Sequence, residues 1–155
     1  VANVSGSNFP ASLQSAAAYT LYAESSLDRS TTATTYPMPL RISTTANDSR
    51  VSLYFTGAST TLVGEVINAV GGFQGSAGAP AVPGLFYRAA FRAQTNDLRA
   101  AINGALTGPD TSAAVPAGVM VRSDIGALGF MGHIKAFGVA PVGLPDAELL
   151  ALTAA

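Results

Sequence analysis

Residues 39–56 read Pro39-Leu40-Arg41-Ile42-Ser43-Thr44-Thr45-Ala46-Asn47-Asp48-Ser49-Arg50-Val51-Ser52-Leu53-Tyr54-Phe55-Thr56. Leu40 and Ile42 alternate with Arg41 and Ser43, and Val51, Leu53 and Phe55 alternate with Ser52, Tyr54 and Thr56, a period of two that belongs to half-buried strands. Turn formers from Thr45 to Arg50 separate the two runs, so the stretch predicts a β-hairpin with one apolar face.

Working outward, Ala16–Ala23 reads as a strand with Tyr19 and Leu21 on one side and Tyr22 on the other, or as a short helix; the strand is favoured, within an extended N-terminal arm over residues 1–37. The β-rich domain then occupies residues 38–155. An arm holding Phe9, Tyr19, Leu21 and Tyr22 has to dock those side chains to offset its ordering entropy. In Thr60–Val70, Leu62, Val66 and Ala69 or Val70 fall at helical spacing, whereas Val63 and Ile67 with the break at Gly64 suit a strand, the reading favoured. From Val66 to Tyr87 no residue is charged, but five glycines and two prolines forbid a membrane span and predict a long loop anchored by Phe73 and Val82. Leu85–Ala93 alternates again, and a helix is expected from about Asn96 to Leu106, capped by Thr95 or Asn96 and stopped by Gly108-Pro109, the competing reading being a single helix over 85–106. Both strand and helix periods put Arg88 and Arg92 on one face.

Towards the end, Val119–Arg122 and Ile134–Val139 read as strands around a turn at Ser123–Gly126. Pro145-Asp146-Ala147-Glu148 then opens a short helix, its two acids lying against the positive end of the dipole. The fold class expected is mainly β: a single-domain sandwich or barrel-like fold with one mid-chain helix and a short C-terminal helix.

Composition narrows the functions. Charged residues make up 11% of the chain and the net charge is −1, leaving no electrostatic excess to hold nucleic acid or an anionic bilayer, so neither nucleic acid nor membrane is an expected partner. Ala, Gly, Ser and Thr number 29, 16, 14 and 14, a supply of small residues suited to flat surfaces. So uncharged a surface implies companions that cover it. Without cysteine there are no disulfides, thiolate-held metals or thiol nucleophiles.

His133 is the sole histidine. No G-x-S-x-G elbow accompanies it, which favours a structural or surface role over a triad. Gly72, Gly75 and Gly78 lack the Lys-Ser/Thr of a phosphate loop, and the Asp146/Glu148 pair is explained by the helix start. Neither a metal nor a cofactor is expected. Asn3-Val4-Ser5 and Asn47-Asp48-Ser49 match the glycosylation pattern at a length where chance matches are common. Arg88, Arg92 and Arg99 form a basic cluster that either pairs locally, for instance with Asp97, or reaches across a subunit interface. The interface candidates are therefore Phe9, Tyr19, Tyr22, Phe73, Val82, Arg88 and Arg92.

The run Val115-Pro116-Ala117-Gly118-Val119-Met120-Val121-Arg122, with Gly126-Ala127 and Ala136-Phe137-Gly138-Val139-Ala140, resembles tailed-bacteriophage capsid decoration (cement) proteins. That resemblance implies a non-enzymatic structural subunit on the outer capsid surface of a virion. Its partners would be the major capsid protein and neighbouring copies of itself, in a homotrimer. Two alternatives stay open: a self-assembling viral coat protein with a basic face from Arg41, Arg88, Arg92 and Arg99, and a secreted or fimbrial β-rich binding domain. Against the latter stands the absence of Trp, since carbohydrate sites lean on exposed aromatics. A hydrolase built on His133 ranks behind both.

Overall fold

A computed structural model describes residues 2–5 by their backbone, and residues 9–14, 16–28, 36–44, 49–56, 61–68, 72–115 and 119–154 in full. Two antiparallel sheets face each other. The six-stranded sheet contains β1 (Ala2–Ser5), β3 (Met38–Ser43), β4 (Arg50–Phe55), β5 (Thr61–Asn68), β6 (Gly72–Pro80) and β10 (Arg122–Ala127), in the order β1-β10-β3-β4-β5-β6. The five-stranded sheet contains β2 (Ala18–Leu27), β7 (Phe86–Gln94), β8 (Asp97–Ile102), β9 (Ala105–Leu106) and β11 (Gly132–Ala140), in the order β11-β2-β7-β8-β9. Two helices complete the fold, α1 (Ala11–Gln14) and α2 (Asp146–Thr153). The expected mainly β sandwich is the observed architecture.

The opening hairpin pairs Leu40 with Leu53 and Ile42 with Val51, as the alternation requires. Its turn at residues 45–48 lies outside the described residues, as do the Ser/Thr run at 30–35, Gly71, Pro116–Gly118 and the centre of the second glycosylation match. Inward residues of both sheets make one core. Leu40, Ile42, Val51, Leu53, Leu62 and Val66 meet Tyr19, Leu21, Ala23, Ala89, Phe91, Leu98 and Ala100. Gly64 lets the sheets approach where Phe91 is largest, because a Cβ there would sit 2.2 Å from the Phe91 ring. The strand within 1–37 is central: β2 pairs with β11 on one side and β7 on the other.

Three expectations are corrected. The mid-chain helix is absent, because residues 96–106 form β8, a two-residue Asn103-Gly104 turn and β9, with Ile102 opposite Ala105. Both turn residues have positive φ, 48° and 76°, the conformation that Asn-Gly supplies readily and that twists a tight hairpin correctly. Most of the long loop is strand β6, paired along β5; it is an edge strand, where Pro80 and the glycines leave no inner ladder broken. The turn expected at 123–126 falls inside β10, which pairs Asp124 with Arg41 and Ile125 with Leu40. The C-terminal helix is present, with Pro145 at its cap position and the Pro145 carbonyl accepting from the amides of Glu148 and Leu149, both at 3.0 Å.

Candidate functional site

Register brings one transverse row of polar residues across the outer face of the six-stranded sheet: Asp124 on β10, Arg41 on β3, Ser52 on β4, Glu65 on β5 and Ser76 on β6. These are the positions that alternate with the core residues, so the period that builds the core also builds this face. At one end Asp124, with no exposed surface, is gripped by two arginines. Arg41 donates from Nε at 2.9 Å and also from Nη2, and Arg122 donates from Nε at 2.8 Å. Burial alone would push the Asp124 carboxyl up, but the hydrogen bonds and charges of Arg41 and Arg122 outweigh it and hold the group below its ordinary range.

Beside this triad the row opens into a cleft of about 300 Å³ lined by Tyr36, Met38, Arg50, Tyr54, Glu65 and Phe73, among others. Tyr36 meets Tyr54 edge to face at 5.6 Å, and Phe73, 59% exposed, supplies a further apolar surface. The Tyr54 hydroxyl is pushed well above its ordinary range, first by burial and then by the charge of Glu65 and the hydrogen bond to it. Arg50 differs from Arg41. Its one ion pair, from Nη2 to Glu65 Oε1, is 3.4 Å long, and its Nε has no hydrogen-bond partner among the described residues. The cleft therefore combines a partly exposed guanidinium, its Nε buried and its one ion pair long, with a carboxylate acceptor and aromatic surface. A guanidinium in that state suits a planar carboxylate, and the aromatics suit the apolar face of a ring.

The candidates read from sequence scatter. Phe73 lines this cleft, while Phe9 and Tyr19 belong to the core, the Tyr19 hydroxyl donating to the Leu13 carbonyl at 3.1 Å. Tyr22 lies on the outer face of the other sheet beside α2, and Val82 is exposed in the short loop after β6. Arg88, Arg92 and Arg99 share that sheet's outer face and are engaged locally. Arg92 bonds Asp97 at 2.8 Å, Asp146 at 2.9 Å and the Leu144 carbonyl at 2.9 Å; Arg99 also pairs with Asp146, and Arg88 pairs with Glu24 at 3.5 Å. Asp146 thus has two ion-pair partners besides the helix dipole. His133 is exposed, with Nε2 at 3.6 Å from Asp28. Among the described residues no group of His, Asp and Glu has the makings of a metal site, and no helix is long and apolar enough to cross a membrane.

The residues that sequence reasoning missed are Tyr36, Arg50, Tyr54 and Glu65. A local signal existed for two of them, since Arg50 and Tyr54 alternate with core residues of one strand. The partners Glu65 and Tyr36 come from elsewhere in the chain.

Fold and face together define an antiparallel β-sandwich domain with a polar and aromatic cleft on one sheet. No family model matches the sequence, and no curated protein matches it. Solved structures do share the fold. The Ruminococcus gnavus IT-sialidase CBM40 domain bound to α2,3-sialyllactose is similar over 98% of this chain and 94% of that one, at 18% identity and a TM-score of 0.70. The Botulinum neurotoxin serotype G binding domain is similar over 97% of this chain and 41% of that one, at 10% identity and a TM-score of 0.71. The chain spans 27% of the leech intramolecular trans-sialidase, matching at 17% identity and a TM-score of 0.66.

These likenesses overturn the capsid decoration reading. The similar structures include sialidase-associated carbohydrate-binding modules, two of them bound to sialyllactose, not cement proteins. The role in a virion, the major capsid protein as partner and the homotrimer fall with it. The resemblance over 115–140 rested on residues that strands and turns of many sandwiches share.

Proposed function

We propose that this chain is a non-catalytic carbohydrate-binding domain for acidic, sialic acid-bearing glycans, and that the cleft at Arg50 holds the sugar. The carrying observation is Arg50 itself: a partly exposed guanidinium whose one ion pair is 3.4 Å long, beside exposed Tyr36 and Phe73, on a sheet face of a sandwich whose structural relatives include modules bound to sialyllactose. Arg50 would take the sugar carboxylate, Glu65 would accept from a hydroxyl or amide N–H, and Tyr36, Tyr54 and Phe73 would cover the apolar part of the ring. This reading supports the secreted or fimbrial binding-domain alternative over the coat protein, and Tyr and Phe do the work for which Trp is missing.

Isothermal titration with 3′-sialyllactose, 6′-sialyllactose and lactose tests it. The expected result is binding of one or both sialylated sugars, weakened roughly tenfold or more by Arg50→Ala, since a charge-assisted contact contributes about 1.5–3 kcal/mol. Binding that Arg50→Ala leaves unchanged, or no binding of either sialylated sugar, would overturn the proposal.

A further inference from the structure

The turn between β8 and β9 is the one Asn-Gly pair in the chain. Asn103 and Gly104 accept their positive φ with little strain, which is why this pair suits so tight a hairpin. The same pair is chemically labile, because no side chain on Gly104 shields its backbone nitrogen. That nitrogen attacks the Asn103 side-chain carbonyl carbon: a C–N bond forms, the amide proton is lost, and the side-chain nitrogen leaves as ammonia. Water then opens the resulting five-membered succinimide to aspartate or isoaspartate. The net change consumes one water, exchanges a neutral carboxamide for a carboxylate, and leaves every oxidation state as it was.

The surroundings of the turn present one partner of this reaction and withhold the other. Asn103 is exposed, so water reaches it, and its Oδ1 accepts from the Arg88 amide at 2.9 Å, a bond that would steady the oxyanion formed on attack. The nucleophile is held. The Gly104 amide donates to Thr153 Oγ1 at 3.2 Å, in the last turn of α2. Thr153 is 1% exposed and directs its own hydroxyl proton to the Leu149 carbonyl at 2.9 Å, so its oxygen faces Gly104 as an acceptor. Removing the Gly104 proton would set an anionic nitrogen against that buried lone pair, and swinging the nitrogen towards Asn103 Cγ would break the bond. The turn itself is pinned by the Asn103 amide donating to the Arg88 carbonyl at 2.9 Å. The helix end is pinned in turn by Arg88 Nη1 on the Ala154 carbonyl, and Ala154 Cα lies 3.8 Å from where a Cβ on Gly104 would stand.

We propose that Asn103 is a site of spontaneous deamidation kept closed by α2, with Thr153 as the catch. Undocking of the helix C-terminus frees the Gly104 amide, and conversion follows only from that open state. The product carboxylate stands beside Glu24 and Arg88 on the wall of a cleft of about 360 Å³, and the isoaspartate form also lengthens the backbone of a two-residue turn. Conversion is irreversible, so the site records how long the end of α2 has spent undocked. The proposal is independent of the ligand at Arg50.

Peptide mapping by mass spectrometry tests it on the full chain held in warm, mildly alkaline buffer, with a synthetic peptide of residues 98–108 as the unprotected reference. The intact chain should convert Asn103 at least roughly tenfold more slowly than the peptide, because only the open fraction reacts. Thr153→Val and Thr153→Ala remove the acceptor and should each raise the rate roughly fivefold, the factor that one net hydrogen bond represents. Thr153→Ser keeps the hydroxyl and should stay near the parent rate. Asn96, in the turn between β7 and β8, is the internal control and should convert no faster in any of these variants. Conversion of the intact chain as fast as the peptide overturns the proposal. So does a parent-like rate after loss of the Thr153 hydroxyl, or an equal rise at Asn96, which would mean general unfolding. The comparison of intact chain with peptide decides it even if a Thr153 variant folds poorly.

Discussion

Asp124 shows how one residue ties the polar face to stability. It has no exposed surface, and both carboxylate oxygens accept from arginines drawn from β3 and from its own strand. Because its folded pKa lies below the unfolded value of about 3.9, ionisation stabilises the fold above that pH, and the contribution is lost as pH falls through the folded pKa. Asp124→Asn keeps the shape and removes the charge, leaving Arg41 buried without its counterion. The variant is expected to be about 3 kcal/mol less stable near neutral pH, with a flatter stability profile between pH 5 and the acid limit. Urea unfolding across that range checks both; a profile as steep as the parent's would show that other carboxylates carry the acid sensitivity.

At the scale of elements, α2 is held to the five-stranded sheet by two different means. Leu149 is fully buried against Ala90 and Ala101, two outward alanines small enough to let the helix lie close. Arg92 and Arg99 reach up from the sheet to Asp146 in the first turn. The Asp146 side chain is 36% exposed, so the pair is screened; Asp146→Ala should lower overall stability by only about 1 kcal/mol. Its larger effect should be local, as faster amide hydrogen exchange throughout α2 with the β-strands unchanged. Unchanged exchange in α2 would mean that Leu149 and the hydrogen bonds at the far end of the helix, from the Gly104 amide to Thr153 and from Arg88 to the Ala154 carbonyl, dock it without Asp146. Sequence legibility follows the same division between local and distant causes. The hairpin β3–β4, strand β7 and helix α2 were readable because period, turn formers and dipole logic are local. Residues 96–106 were misread because Ala-rich alternation satisfies a helix as well as a strand; the decisive signal was Asn103-Gly104 between two apolar runs. Strand β6 hid behind its glycines, which only its edge position makes tolerable. The site was half legible, since Arg50 and Tyr54 alternate visibly, whereas the approach of Glu65 and Tyr36 depends on strand register set far away in the chain.

At the scale of the whole molecule, the few charges the chain carries are mostly paired. Most of the ionised groups are gathered on the two outer sheet faces and paired there: Arg41 and Arg122 with Asp124, Arg50 with Glu65, Arg92 and Arg99 with Asp146, and Arg88 and Lys135 with Glu24. Between these pairs the described surface exposes large apolar side chains, Val82, Leu85, Leu128, Met131 and Phe137 among them. Such a charge distribution has a kinetic consequence. With a net charge of −1 and a carboxylate beside these cations, the chain offers an acidic glycan no long-range attraction, so the proposed recognition would have to arise within contact distance of Arg50. Raising salt from about 0.05 to 0.5 M shortens screening from roughly 14 to 4 Å, which leaves a contact pair inside a cleft largely intact. Sialyllactose affinity should therefore fall by less than about tenfold over that range, with little change in the association rate. Stopped-flow binding at the two salt concentrations measures both quantities. A steep fall carried by the association rate would shift recognition away from the cleft to the collective field of Arg41, Arg50 and Arg122, and would predict that charge reversal at Arg122, outside the cleft, weakens binding as much as loss of Arg50.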